Sequence, residues 1–116
     1  MSSSHASGEW TSQLRRGVLE LCILRLLSRG PSYGYELVST LDAYPMLASG
    51  ENTVYPLLRR LKQEGALETF ARESPSGPVR QYYRCTRDGE RRLKELEKDW
   101  NAMVSDVTSF SKEGRR

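Results

Sequence analysis

A mainly α fold with one small β-hairpin (α+β) is predicted for this chain by three observations. Residues 51–65 place Val54, Leu57, Leu58 and Leu61 on one side of a helix, at i, i+3, i+4 and i+7. Two strand-like runs, Leu67 to Glu73 and Arg80 to Thr86, flank a Ser74-Pro75-Ser76-Gly77-Pro78 tip that no helix tolerates. Beyond them, Leu93, Leu96, Trp100, Met103, Val107 and Phe110 recur at alternating steps of 3 and 4, the spacing of a helix-pairing seam.

The elements follow in order. Residues 1–11 are Ser-rich and predict a flexible tail in which Trp10 alone docks. From Ser12 to Ser28, Leu14, Val18, Leu19, Leu21, Cys22, Ile23, Leu24, Leu26 and Leu27 make a helix apolar over more than half its girth. Such breadth suits packing on both its own domain and a second surface. Gly30-Pro31 ends it. Ser32 offers an N-cap to a second helix, Tyr33 to about Leu41, whose Gly34 lets another backbone, or a phosphate, approach closely. A Tyr44-Pro45 break and a loop, Met46 to Gly50, lead into the third helix. Asn52 or Thr53 can cap that helix, Pro56 falls in or just after its first turn, and Gly65 stops it. In the second strand, Tyr83 and Cys85 share one face, while Arg80, Tyr82 and Arg84 share a cationic one. Thr86 caps a last helix running to about Phe110, and residues 111–116 read as a tail.

Size and charge narrow the function. At 116 residues and 13.2 kDa, one small domain is expected, with apolar surface left over for a partner subunit. Residues 51–92 hold nine Lys/Arg against six Asp/Glu, while the segments on either side balance, so the net charge of +3 sits entirely there. A confined positive excess is the electrostatic footprint of a nucleic-acid binder. Cys22 and Cys85 lie in no metal-ligand spacing and read as small packing residues, with redox sensing through Cys85 as the alternative. The single histidine, His5, falls in the tail, and no carboxylate pair or nucleophile–base pair occurs, so catalysis is not expected and neither a cofactor nor a metal is implied. No secretory or membrane-spanning stretch is visible, which predicts a soluble cytoplasmic protein.

Three helices followed by a hairpin is the order of a winged helix-turn-helix, here residues 12–86. In that fold the third helix reads the major groove and the hairpin tip touches the backbone beside it. Opposite its apolar face, the third helix carries Asn52, Tyr55, Pro56, Arg59, Arg60 and Gln63. Arginine can fork onto guanine, Asn or Gln onto adenine, and tyrosine onto phosphate. Thr53, then Ser32 and Tyr35 at the second helix, and Pro78, Arg80 and Gln81 of the wing complete the candidate DNA-facing set. A plain solvated helix is the competing reading of the same residues.

Residues 87–110 would make a rod of roughly 36 Å that overhangs its own domain and leaves an apolar seam bare. Pairing across a two-fold axis covers it. The expected dimer surface is Leu14, Val18 and Leu21 of the first helix with Leu93, Leu96, Trp100, Met103, Val107 and Phe110 of the last. Trp100 and Met103 form a candidate ligand pocket, where a flat ring walls a cavity for planar aromatic compounds; plain packing of Trp100 is the alternative.

Four runs of residues carry a family resemblance: Arg16-Gly17-Val18-Leu19-Glu20-Leu21-Cys22-Ile23-Leu24, Gly34-Tyr35-Glu36-Leu37, Asn52 to Leu61, and Arg80 to Gly89. In that order the chain resembles the PadR family of bacterial transcriptional regulators over about residues 12–110. The resemblance implies a homodimeric winged-helix repressor with a single C-terminal dimerisation helix, bound to a palindromic double-stranded DNA operator. It also implies, as in some members, release by a small aromatic or hydrophobic inducer. Two positions depart from the family pattern: Asn52 stands where glycine is common, and Cys85 precedes Thr86 where leucine is usual. A winged-helix module used only for protein interaction is the remaining alternative.

Overall fold

The computed structural model describes residues 3–113, with side chains described for residues 8–111; the outermost parts of both expected tails, residues 1–2 and 114–116, lie outside the described residues. Its elements are α1 (Ser3–Leu27), β1 (Ser32–Tyr33), α2 (Gly34–Asp42), α3 (Glu51–Gln63), β2 (Leu67–Glu73), β3 (Val79–Cys85) and α4 (Arg87–Glu113).

The core gathers the apolar faces of all four helices. Leu19, Ile23 and Leu24 of α1, Leu37 and Leu41 of α2, and Val54, Leu58 and Leu61 of α3 are each at most 2% exposed. Burying each such side chain stabilises the fold by about 1.5–3 kcal/mol relative to leaving it in water. The predicted inner face of α3 is therefore correct, with Leu57 packed at its margin.

α1 begins at Ser3, nine residues before the expected start, so the segment 3–11 is helical rather than a tail. Trp10 does not dock: it is 62% exposed on that helical extension. Two helix starts also differ from expectation. Ser32 caps nothing through its side chain; it lies in β1 and its hydroxyl donates to Glu36 Oε1 at 2.6 Å, while Tyr33 is the N-cap of α2. Gly50, not Asn52 or Thr53, is the N-cap of α3, with no side-chain cap bond. Asn52 and Thr53 are already helical, and Pro56 falls in the second turn, where its missing N–H leaves the Asn52 carbonyl without its usual partner.

The end of α3 is fixed more firmly. Gly65 adopts φ 83°, a conformation costly for any side chain, and allows Ala66 N–H to reach Leu61 O at 2.9 Å and Gly65 N–H to reach Lys62 O at 3.0 Å. These are the paired bonds of a Schellman turn, and buried Ala66 and Leu61 supply its apolar contact.

The sheet has the order β1-β3-β2 and is antiparallel throughout. The hairpin runs in register from Leu67↔Cys85 to Glu73↔Val79, and Ser32 and Tyr33 add a short third strand through Tyr83 and Tyr82. At its tip, Ser74 N–H and Oγ both donate to Pro78 O at 2.8 Å, which ties the turn shut. Thr86 caps α4 as expected: its hydroxyl accepts Gly89 N–H at 3.0 Å and donates to Gly65 O at 2.5 Å. α4 starts on the domain and leaves it. Leu93 is buried and Leu96 and Trp100 half-buried, whereas every side chain from Asn101 to Ser111 is exposed. No helix among the described residues is long and apolar enough to cross a membrane.

Candidate nucleic-acid interface

Opposite its buried stripe, α3 presents Asn52, Thr53, Pro56, Arg59 and Gln63 to solvent, with Tyr55 half-buried at the edge. Tyr55 is held by its neighbour. Its ring lies where a Cβ on Gly34 would stand, 2.2 Å from that position, so the missing side chain at Gly34 is what lets α2 and α3 close together. What approaches Gly34 is thus an aromatic side chain, where a backbone or a phosphate was expected. Around this contact Tyr33, Gly34, Tyr35, Tyr55, Arg80, Gln81 and Tyr83 line one cleft of about 200 Å³ between α3 and the wing. Burial pushes the Tyr55 hydroxyl's pKa up, with Glu51 and Tyr83 adding to the rise and Arg80 opposing it. The hydroxyl stays protonated at neutral pH and can donate to a phosphate oxygen.

The two adjacent arginines of α3 part company. Arg59 is exposed and has no carboxylate partner among the described residues. Arg60 turns the other way, toward α1 and α4. It donates to Glu20 Oε1 at 2.9 Å and to both carboxylate oxygens of Glu64 at 3.1 Å. Two of the nitrogens of Arg60, expected as a second groove-facing arginine, thus bond within the protein, while its side chain stays 49% exposed.

The wing supplies Pro78, Arg80 and Gln81, all exposed. The outer sheet face is less simply cationic than its alternation predicts. Tyr82 is only 3% exposed there, because Phe70 stacks on it with centroids 5.7 Å apart, Tyr33 meets it edge-on at 5.2 Å, and Arg72 lies 4.2 Å above its ring. Arg80 sits 5.4 Å over Tyr33 and Arg84 4.7 Å over Phe70. Ring faces thus hold three guanidiniums at a set height, and Arg84 is held as well by Glu68, to whose Oε2 its Nε donates at 2.7 Å. Periodicity could not signal Arg72, which belongs to this face only through the hairpin register Arg72↔Arg80. Arg16 was also missed: it shares a small cleft with Ser12, Ser49 and Thr53 beside the start of α3.

Of the expected dimer surface, Leu21 and Leu93 are buried inside the protomer at 6% and 5% exposure and so belong to the core. They were misassigned because α1 and the first turns of α4 pack on each other, joined also by Arg25 Nε donating to Glu97 Oε2 at 3.1 Å. Leu14, Met103, Val107 and Phe110 are exposed, as are Trp10 and Val104. Trp100 walls an apolar cavity of about 300 Å³ with Leu14, Val18, Leu21, Cys22, Met46 and Leu47; Met103 is not part of that lining.

A buried three-helix core, a recognition-type helix on the surface and a hairpin beside it define a winged helix-turn-helix protein. The transcriptional regulator PadR-like family matches residues 23–95, most of the chain, and the chain belongs to that family. It is 32% identical over 105 residues to an uncharacterised protein of Lysinibacillus sphaericus, covering 89% of this chain and 95% of that one. It is similar to the crystal structure of a PadR family transcriptional regulator from Eggerthella lenta, with a TM-score of 0.82, 35% identity, and coverage of 95% and 96% of the two chains. It is also similar to Bacillus subtilis PadR in complex with operator DNA, with a TM-score of 0.61 and 25% identity, over 68% of this chain and 46% of that one. The family is one of transcriptional regulators.

Proposed function

We propose that this regulator is a sequence-specific DNA-binding repressor, acting as a homodimer on a palindromic operator. The observation that carries the reading is the outer face of α3: Asn52, Thr53, Pro56, Arg59 and Gln63 are exposed there with Tyr55 at the edge, beside an arginine-bearing wing. In this reading Arg59 forks onto a guanine edge, and Asn52 and Gln63 are placed for adenine. Tyr35, Tyr55 and the wing residues Pro78, Arg80 and Gln81 address the flanking backbone, whereas the Ser32 hydroxyl is donated to Glu36.

Pairing is supported by the bare end of α4. Met103, Val107 and Phe110 are 60%, 61% and 78% exposed, in line with the seam that Leu96 and Trp100 begin. A second copy covers that stripe with its own, and its α1 surface at Leu14 and Val18 lies alongside. The cavity walled by Trp100 suits a small aromatic or hydrophobic inducer, whose ring stacks on the indole while Arg15 and Arg25 stand at the lining.

Selection of bound fragments from the source genome tests the reading. It should return an inverted repeat whose binding weakens steeply with salt, because Lys and Arg contacts release counterions. Fragments recovered without a shared repeat would contradict it. For the inducer, titration of planar aromatic acids and hydrophobic drugs into a Trp10→Phe variant should quench Trp100 and release the operator; quenching without release would leave the cavity without a regulatory part.

A further inference from the structure

We propose that Arg60 is a positioning residue: with Glu20, Glu64 and Arg92 it closes a ring of charge that locks α3 to α1 and α4 and so sets the half-site spacing the dimer accepts. The inference rests on the DNA-binding reading above and assigns a part to a group that reading does not use. Each carboxylate of the ring holds both guanidiniums. Glu20 accepts Arg60 on Oε1 at 2.9 Å and Arg92 on Oε2 at 3.2 Å. Glu64 accepts Arg92 on Oε1 at 2.8 Å and Arg60 on both oxygens at 3.1 Å. Three helices meet in those contacts: Glu20 belongs to α1, Arg60 to α3 with Glu64 at its C-cap, and Arg92 to α4.

Location gives the ring its consequence. At the same corner, Thr86 donates to Gly65 O, and Gly89 packs so closely on Ala66 that a Cβ there would stand 2.1 Å from the Ala66 carbonyl oxygen. The end of the reading helix is thereby clamped to the start of the helix that leads to the dimer seam. A rotation of α3 about that corner moves the two reading helices of a dimer together or apart. Single exposed ion pairs contribute little, but a closed set of forked bonds restricts orientation. The ring carries two positive and two negative charges, so it adds no net attraction for DNA. Its carboxylates would even repel phosphate if electrostatics were all that mattered.

That sign separates positioning from contact. The full-length protein, Glu20→Gln, Arg92→Gln and Arg60→Ala are compared on the selected operator and on a copy with one base pair inserted between its half-sites. Glu20→Gln removes a negative charge, yet it should weaken binding to the native spacing by about fivefold and leave the inserted spacing little changed. Arg60→Ala should do the same without altering the salt slope, because no phosphate contact is lost. Tighter binding by Glu20→Gln, undiminished spacing preference in all three variants, or a salt slope reduced by about one in Arg60→Ala would overturn the assignment. If Arg60→Ala fails to fold, the two glutamine variants decide alone. Wild-type protein that selects no operator overturns this inference together with the DNA reading, and it is recognised before any variant is made.

Discussion

Arg59 and Arg60 are neighbours in sequence but differ in their surroundings, because one residue step turns a helix by about 100°. Arg59 faces out with its five donors free, so Arg59→Ala should weaken operator binding by about 1–3 kcal/mol and relax preference at one base pair. A competition titration against single-base operator variants checks both parts. Gly34 provides a second test of the same surface. Gly34→Ala sets a methyl against the Tyr55 ring, which cannot stay where it is. Operator affinity should fall with little change in dimerisation, as measured by binding and by sedimentation in parallel. Cys85 is quiet by comparison: burial pushes its thiol up to about 11, with Glu90 adding to the rise, and it sits against the Leu24 carbonyl. Its thiolate is scarce at neutral pH, so alkylation of the folded protein at pH 7 should be slow and become fast on unfolding. At this scale the sequence was legible for inward residues and poorly so for flanking ones. Spacing separates Val54, Leu58 and Leu61 from the rest of α3, but it cannot say that Arg60 meets Glu20, 40 residues away.

Among the elements, those with a long apolar repeat or sharp punctuation were readable. β2 spans Leu67–Glu73 as expected, because turn residues bound it on one side and the Gly65 stop on the other. The start of α1 was not readable, since residues 3–9 carry no apolar period and hold serine, which favours caps and turns over helix interiors. β1 was missed because two residues are too few to show alternation; it exists through its pairing with Tyr82 and Tyr83. The junction of α3 with α4 depends on backbone proximity. Gly89→Ala would push the Ala66 carbonyl away and should destabilise the fold by about 1–3 kcal/mol, visible in urea denaturation. The charge ring adds a pH signature. Arg92, then Arg60, hold the Glu64 carboxyl below the ordinary carboxylate range. A depressed value stabilises the fold above the unfolded carboxylate's pKa, and that contribution disappears as pH falls through the lower folded value. Unfolding curves should therefore show acid sensitivity that Glu64→Gln reduces; equal acid sensitivity in both proteins would exclude the link.

The whole molecule measures 58 × 35 × 23 Å, elongated because α4 continues past the core. Its distal stripe leaves Met103, Val107 and Phe110 exposed, the surface that the proposed pairing would cover. Val107→Asp places a carboxylate in that stripe and should shift the protein to half its mass in sedimentation while leaving its helix content intact. The exposed stripe at the far end of α4, proposed above as a dimer seam, follows the 3–4 repeat of its sequence. Its inner end was not legible, since the same repeat supplies Leu93 to the protomer's own core before it supplies Phe110 to solvent. In the proposed dimer one repeat serves two interfaces in succession, and only the third dimension tells where the first gives way to the second. The most direct measurement is a hydroxyl-radical footprint of the protein on a selected genomic fragment. Two protected patches related by two-fold symmetry, centred about 34–36 Å apart along the duplex, are the predicted result. A single patch, or protection without symmetry, would contradict the account.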